Sequence, residues 1–174
     1  MSILVTGTPG SGKTALTQYA RSVGDDRFVD ADYLEGLCEW REFKTGNVLG
    51  LVTEHKETGK DNWYAKYGWY WKLDRLKQFL NDNPQAILCG SAENIVECYG
   101  LFQQIFILEK SEEELVGNLA SPDRENPFGK TPEQRKGFME WQDYLTKEAG
   151  KFKPTILTGN NIRDIYETIT SNLT

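Results

Sequence analysis

The chain has 174 residues, 20 basic against 26 acidic for a net charge of −6, with 39% hydrophobic and 12% aromatic residues. This predicts one globular domain with a sizeable core and excludes wholesale disorder, and the acidic balance argues against a nucleic-acid scaffold while leaving room for a local phosphate site. Cys38, Cys89 and Cys98 are odd in number and lack CxxC spacing, so neither a disulfide framework nor structural zinc is expected. No leader pattern and no apolar run of the ~20 residues needed to span a bilayer is visible, so a cytoplasmic protein without membrane association is expected.

In chain order, the apolar run Ile3-Leu4-Val5 reads as a buried strand. It leads into Gly7-Thr8-Pro9-Gly10-Ser11-Gly12-Lys13-Thr14, and then into a helix whose face is Ala15, Leu16, Tyr19, Ala20 and Val23, stopped by Gly24. Phe28-Val29 forms a second strand ending in Asp30-Ala31-Asp32. From about 40 to 66 the periodicity fails, and this stretch reads as an insertion without an assignable structure. Trp63, Tyr64, Tyr67, Trp69, Tyr70 and Trp71 crowd together at its end, either as packing or as a stacking wall for a base or ring-shaped substrate. Leu73, Leu76, Phe79 and Leu80 mark the next helix, and Ala86 to Cys89 a third strand followed by Gly90-Ser91-Ala92-Glu93-Asn94. Ser91 reads equally as a helix cap or a ligand-facing residue, and Glu93 as a candidate outer metal group. Ile105 to Leu108 is a fourth strand. The turn-rich stretch Pro122 to Lys130 lies between helical patterns and reads as a lid over 121–131. Thr131-Pro132-Glu133-Gln134 is a capping-box helix start, Thr155-Ile156-Leu157 a fifth strand, and Asn161 to Asn172 a closing helix. Strands alternating with helices predict a parallel sheet covered on both faces.

The chemistry starts at Gly7–Thr14, which matches GxxxxGK[ST] after a strand and at the opening of a helix. Glycines let backbone N–H groups turn toward phosphate oxygens, and the helix amino end adds partial positive charge. The pattern assigns Lys13 to the β- and γ-phosphates of ATP and the Thr14 hydroxyl to Mg²⁺. Asp30 and Asp32 fall just past the carboxyl end of a parallel strand, where ligands bind. Alternation points both the same way, which suits one to Mg²⁺ or its waters and the other to accepting a proton from the acceptor hydroxyl. The competing reading has Asp30 merely ending the strand and Asp32 capping a helix. Arg124 is the lid cation proposed for transition-state charge, with Lys130, Arg135 and Lys136 as alternatives. His55, the single histidine, sits in a solvated Glu54-His55-Lys56-Glu57 context.

Together the Gly7–Thr14 loop, the Asp30-x-Asp32 pair, the Gly90 turn and the arginine-bearing lid resemble the small P-loop kinases, such as shikimate, gluconate and adenylate kinases. The stretches 88–94 and 126–133 also resemble bacterial kinase-like ATP-binding proteins. The resemblance implies a three-layer α/β P-loop NTPase fold over 1–174, with strand order 2-3-1-4-5, and a magnesium-dependent transferase. That enzyme would move a phosphoryl group from ATP to a small metabolite or nucleotide, as a monomer or homodimer. Lys13, Asp32 and Arg124 would be catalytic, with Thr14 and Asp30 at the metal and Gly159 and Asn160 near the adenine. Two departures separate the chain from shikimate kinases. Cys89-Gly90-Ser91 replaces a triple-glycine turn, and only Arg41 and Arg75 offer themselves for a substrate carboxylate. A nucleotide-binding switch or regulatory ATPase is the alternative reading.

Overall fold

The computed structural model describes residues 1–49, 63–120, 129 and 131–172, without the side chains of 63 and 64. In chain order the elements are β1 (Ile3–Thr6), α1 (Lys13–Ser22), β2 (Phe28–Asp30), β3 (Cys38–Glu42), β4 (Val48–Leu49), α2 (Trp63–Lys66), β5 (Tyr67–Trp71) and α3 (Leu73–Asp82). There follow β6 (Ile87–Cys89), α4 (Ile95–Cys98), β7 (Gln104–Leu108), α5 (Glu112–Leu119), α6 (Pro132–Ala149), β8 (Thr155–Leu157) and α7 (Ile162–Ser171).

Five strands form one parallel sheet in the order β2-β6-β1-β7-β8. Counting only the strands of this sheet, the order is the expected 2-3-1-4-5. Successive side chains on a strand leave by opposite faces, and the core divides accordingly. Leu4, Leu88, Ile105 and Ile107 pack on one side against Leu76, Phe79, Tyr99 and Leu145. Ile3, Val5, Ile87 and Phe106 pack on the other against Leu16 and Ala20 of α1 and Ile165 and Ile169 of α7. Because both faces are covered, these strands read as unbroken apolar runs.

The α1 face differs from its expected one at three positions. Ala15 and Val23 are exposed, and Thr17 is buried instead. The Thr17 hydroxyl satisfies itself on the Thr14 carbonyl at 2.8 Å, so a polar residue sits in the core without an orphaned group. The start of α6 is the expected capping box: Thr131 accepts from the Gln134 N–H, and Pro132 occupies the first turn.

A second sheet, antiparallel and in the order β4-β3-β5, overruns both ends of the 40–66 stretch expected to be an insertion, starting at Cys38 and ending at Trp71. Its period-2 signal is hidden because large side chains occupy both faces. Trp40 pairs with Trp69 across the strands, their rings 4.9 Å apart. On the opposite face the Arg41 guanidinium lies 5.0 Å over the Tyr70 ring. The sheet is anchored at Trp71, which is fully buried and so belongs to the packing reading of the aromatic cluster. The Asn94 side-chain amide clamps that residue's backbone, accepting from Trp71 N at 3.0 Å and donating to Trp71 O at 2.9 Å. Gly90 makes the approach possible, since a Cβ there would stand 2.5 Å from Ala31 Cβ and 2.7 Å from Trp71 Cζ2. All three cysteines are buried and free; burial pushes the Cys98 thiol up to about 12 and raises the other two as well. Among the described residues no helix is long and apolar enough to cross a membrane.

Candidate functional site

The loop between β1 and α1 is built around glycines with positive φ, Gly10 at 87° and Gly12 at 100°, where a side chain would be strained. Gly7 is additionally forced by contact, because a Cβ there would come 2.6 Å from the Leu108 carbonyl. Helix α1 begins with Gly12 as its cap, with no side-chain cap bond and no acidic residue in its first turn. Helices α5, α6 and α7 all carry side-chain caps. The amino end of α1 is therefore left for an external acceptor of hydrogen bonds, and its partial positive charge favours an anion.

Lys13 folds back over this loop, its ammonium donating to the Gly7 carbonyl at 2.7 Å and the Thr8 carbonyl at 3.0 Å. Thr8 and Ser11 are buried in the loop, while Pro9 is partly exposed. The Thr14 hydroxyl donates to Asp30 Oδ2 at 3.2 Å, so helix α1 and the end of β2 bring two hard oxygen donors together. That pair suits Mg²⁺, which takes one or two protein oxygens and completes its shell with water and phosphate.

Asp30 and Asp32 do come together, by a route other than strand alternation. Asp30 ends β2, and its Oδ1 accepts from the Asp32 backbone N–H at 3.1 Å, capping the short 3-10 turn Ala31–Tyr33. It is thus Asp30, not Asp32, that acts as a cap. The Asp32 carboxylate turns to the second sheet, where Oδ1 accepts from the Trp69 indole N–H at 2.9 Å. Asp32 keeps accessible surface but is flanked by protein on most sides. That desolvation, reinforced by the Asp30 charge, raises its pKa above the ordinary carboxylate value; the Trp69 hydrogen bond and the Lys13 charge oppose the rise.

The far side of the loop is held by residues without a sequence signal. The Asn118 amide on α5 donates to the Gly10 carbonyl at 3.0 Å and to Asn160 Oδ1 at 3.2 Å, tying the loop after β8 to the glycine loop. Lys110 is buried, and its ammonium donates to the Gly159 carbonyl. Asn118 thus bridges Asn160 to Gly10, and Gly159 precedes Asn160 in the same loop. Nothing in the spacing of Asn118 or Lys110 announces this, because their partners are backbone groups far away in the chain.

Ser91 caps no helix: α4 starts at Asn94, and the Ser91 hydroxyl is buried without a hydrogen-bond partner among the described residues. Glu93 lies against Gly68 of β5, its backbone N–H bonded to the Trp69 carbonyl at 2.8 Å, and burial raises its pKa. Arg41 and Arg75 line a groove of about 640 Å³ with Glu39, Lys72 and Glu97. Both are engaged there, Arg41 with Glu39 at 2.7 Å and Arg75 with the Glu35 carbonyl at 3.0 Å. Arg124, Lys130, His55 and all of the 121–131 stretch except Gly129 and Thr131 lie outside the described residues, as does the Trp63 side chain.

No protein-family model matches the chain, and no curated protein matches it in sequence. Solved structures do match. Shikimate kinase from Acinetobacter baumannii, in complex with shikimate, superposes with a TM-score of 0.59 at 17% identity, over 99% of this chain and 92% of that one. TT1252 from Thermus thermophilus superposes with a TM-score of 0.55 at 14% identity, over 100% of this chain and 98% of that one. With the glycine loop and the parallel sheet, these likenesses define the fold as that of a shikimate kinase-like P-loop kinase.

Proposed function

We propose that the protein is a magnesium-dependent phosphotransferase that moves the γ-phosphoryl group of ATP to a hydroxyl of a small molecule. The observation that carries this reading is the hydrogen-bonded line Thr14–Asp30–Asp32, which joins the candidate phosphate loop to a second carboxylate with accessible surface. A hydrolysing switch needs the first part of that line only. The second carboxylate gives an acceptor hydroxyl a partner beside the phosphates.

In this reading the loop N–H groups and Lys13 hold the triphosphate, Lys13 exchanging its carbonyl partners for phosphate oxygens. Thr14 and Asp30 would hold Mg²⁺, which would supply neutralisation of the phosphate charge during transfer. Asp32 accepts the acceptor's O–H proton as its oxygen forms the new O–P bond, and the bond from the γ-phosphorus to the bridging oxygen breaks. ADP departs with that electron pair. Gly159 and Asn160 border the adenine, and Arg124 supplies further positive charge to the transferring group. The 121–131 lid and the single domain over 1–174 belong to the same proposal.

The test is ADP formation measured across nucleosides, nucleotides, sugars and hydroxy acids, with the phosphorylated product identified by mass spectrometry. The account expects one acceptor to raise ADP formation manyfold, and Asp32→Asn to lower kcat with that acceptor by about 10²-fold, the low end for a general base. Slow ATP turnover indifferent to every acceptor class would support the regulatory ATPase instead.

A further inference from the structure

We infer that the acceptor is an uncharged, hydroxyl-bearing ring with a flat or C–H-rich face, seated against Trp69 and Trp40 of the second sheet, so that Trp69 determines which molecule is phosphorylated. This rests on the phosphotransferase reading above and adds to it the class of substrate.

Asp32 fixes where an acceptor hydroxyl can sit. Its Oδ1 is taken by the Trp69 indole N–H at 2.9 Å, which leaves the other oxygen for an acceptor hydroxyl. A molecule whose hydroxyl reaches that oxygen has its body within a few ångströms of the Trp69 ring. Trp69 does not stand alone, since Trp40 pairs with it across β3 and β5 and the two rings form a tilted, half-buried aromatic surface. Indole faces take up flat bases by stacking and sugar or cyclitol rings through their C–H faces, as long as the partner brings no charge needing compensation.

The charges around Asp32 point the same way. Asp30 is a second carboxylate beside it, and Lys13, the cation whose field reaches it, is bonded to loop carbonyls and assigned to the nucleotide. The cations of β3 and α3 that could meet an acidic acceptor are elsewhere. Arg41 alternates with Trp40 and so leaves by the opposite face, where it and Lys72 bind the buried Glu39 at 2.7 and 3.3 Å. Arg75 lines the same groove and donates to the Glu35 carbonyl. Among the described residues, Lys13 is the cation that acts on Asp32, and Arg41, Lys72 and Arg75 are bonded elsewhere, so none of these three is placed to receive a carboxylate or phosphate on the acceptor. Such a mismatch is a device for rejection, because a charge placed against an apolar surface without a partner is costly.

The experiment compares neutral ring acceptors (nucleosides in one arm, sugars and cyclitols in the other) with carboxylate- and phosphate-bearing ones, shikimate included, on the wild type, Trp69→Leu, Trp69→Phe, Trp40→Ala and Arg75→Gln. A neutral ring should give the highest kcat/KM, and which arm it comes from separates base stacking from C–H stacking. Trp69→Leu should raise the acceptor KM about tenfold, the effect of losing one stacked ring. Trp69→Phe, which keeps a ring and loses the N–H, should lower kcat more than it raises KM. Trp40→Ala, further from Asp32, gives a second reading of the surface should Trp69→Leu fold poorly, and it should raise the acceptor KM severalfold. ATP affinity should stay within about twofold of wild type in all of them, and Arg75→Gln should leave the acceptor KM unchanged. A best acceptor that carries a carboxylate or phosphate, or whose KM responds to Arg75→Gln and not to the Trp69 and Trp40 variants, overturns the inference while leaving the phosphotransferase reading intact. No acceptor of any class raising ADP formation overturns both.

Discussion

Single residues set the local chemistry of this molecule, and Asp25 shows how one side chain couples distant parts. Its carboxylate accepts from Arg27 Nε at 2.8 Å and Nη2 at 2.7 Å, and from the Tyr166 hydroxyl of α7 at 3.0 Å. The hydrogen-bonded Arg27 side chain is the main cause of the lowering of its pKa below the ordinary carboxylate value. A carboxyl depressed in the folded state stabilises above its unfolded pKa, and that contribution is lost as pH falls through the lower folded value. Asp25→Asn should therefore cost about 1 kcal/mol at neutral pH, the modest size expected of a partly solvated network. The difference from wild type should shrink once the pH falls below the usual carboxylate range of about 4. Urea unfolding of both proteins across pH checks this; a gap that does not change with pH would show that the charge has no part in it. The same scale separates legible from illegible site residues. Gly7 to Thr14 are readable because phosphate binding dictates residue type at fixed spacing within one loop. Asn118 and Lys110 are not, since each acts on a backbone carbonyl more than 40 residues away.

At the scale of elements, the joint between the two sheets is the feature that sets Trp69 beside Asp32. Sequence periodicity finds all five strands of the parallel sheet, since β1, β6 and β7 are largely buried on both faces and the half-buried edge strands β2 and β8 still carry short apolar runs. It misses β3, β4 and β5: the alternation of Cys38 to Glu42 is short, β4 has two residues, and β5 carries aromatic side chains on both faces, Trp69 on one and Tyr70 on the other. Nor does alternation describe Asp32, because the chain leaves β2 at Asp30 and enters a turn. The joint depends on one amide. Asn94 satisfies both backbone groups of Trp71, inside a region where an unpaired group costs about 1–3 kcal/mol. Asn94→Ala should lower stability by about 2–4 kcal/mol, through two orphaned backbone groups, without touching the glycine loop. Denaturant unfolding gives the size of the loss, and a value under about 0.5 kcal/mol would mean the second sheet is held by something other than this clamp.

On the scale of the whole molecule, the fold brings three separate pieces of chain to the carboxyl edge of one parallel sheet, where such folds place their ligands. The glycine loop follows β1, the aspartate pair follows β2, and the loop of Gly159 and Asn160 follows β8. The second sheet then closes the aspartate side through Trp69 and Trp71. In the proposed reading, a phosphate cradle built on one loop joins an acceptor wall built on the second sheet, which is why the fold is legible in the sequence and the acceptor is not. Phosphate binding uses backbone and a few fixed residue types, whereas an acceptor wall is shaped by packing across non-local strands.

The account stands or falls on whether that cradle holds a nucleoside triphosphate. Calorimetric titration of ATP in the presence of Mg²⁺ into the wild type, Lys13→Ala and Thr14→Ala measures it directly. Wild-type binding should be saturable with one site per chain. Lys13→Ala should weaken it by at least about tenfold, the loss of one charge-assisted contact of about 1.5–3 kcal/mol. Thr14→Ala should remove most of the gain that Mg²⁺ confers while leaving metal-free binding close to wild type. Equal affinities in all three proteins, or no binding by a correctly folded wild type, would contradict the account.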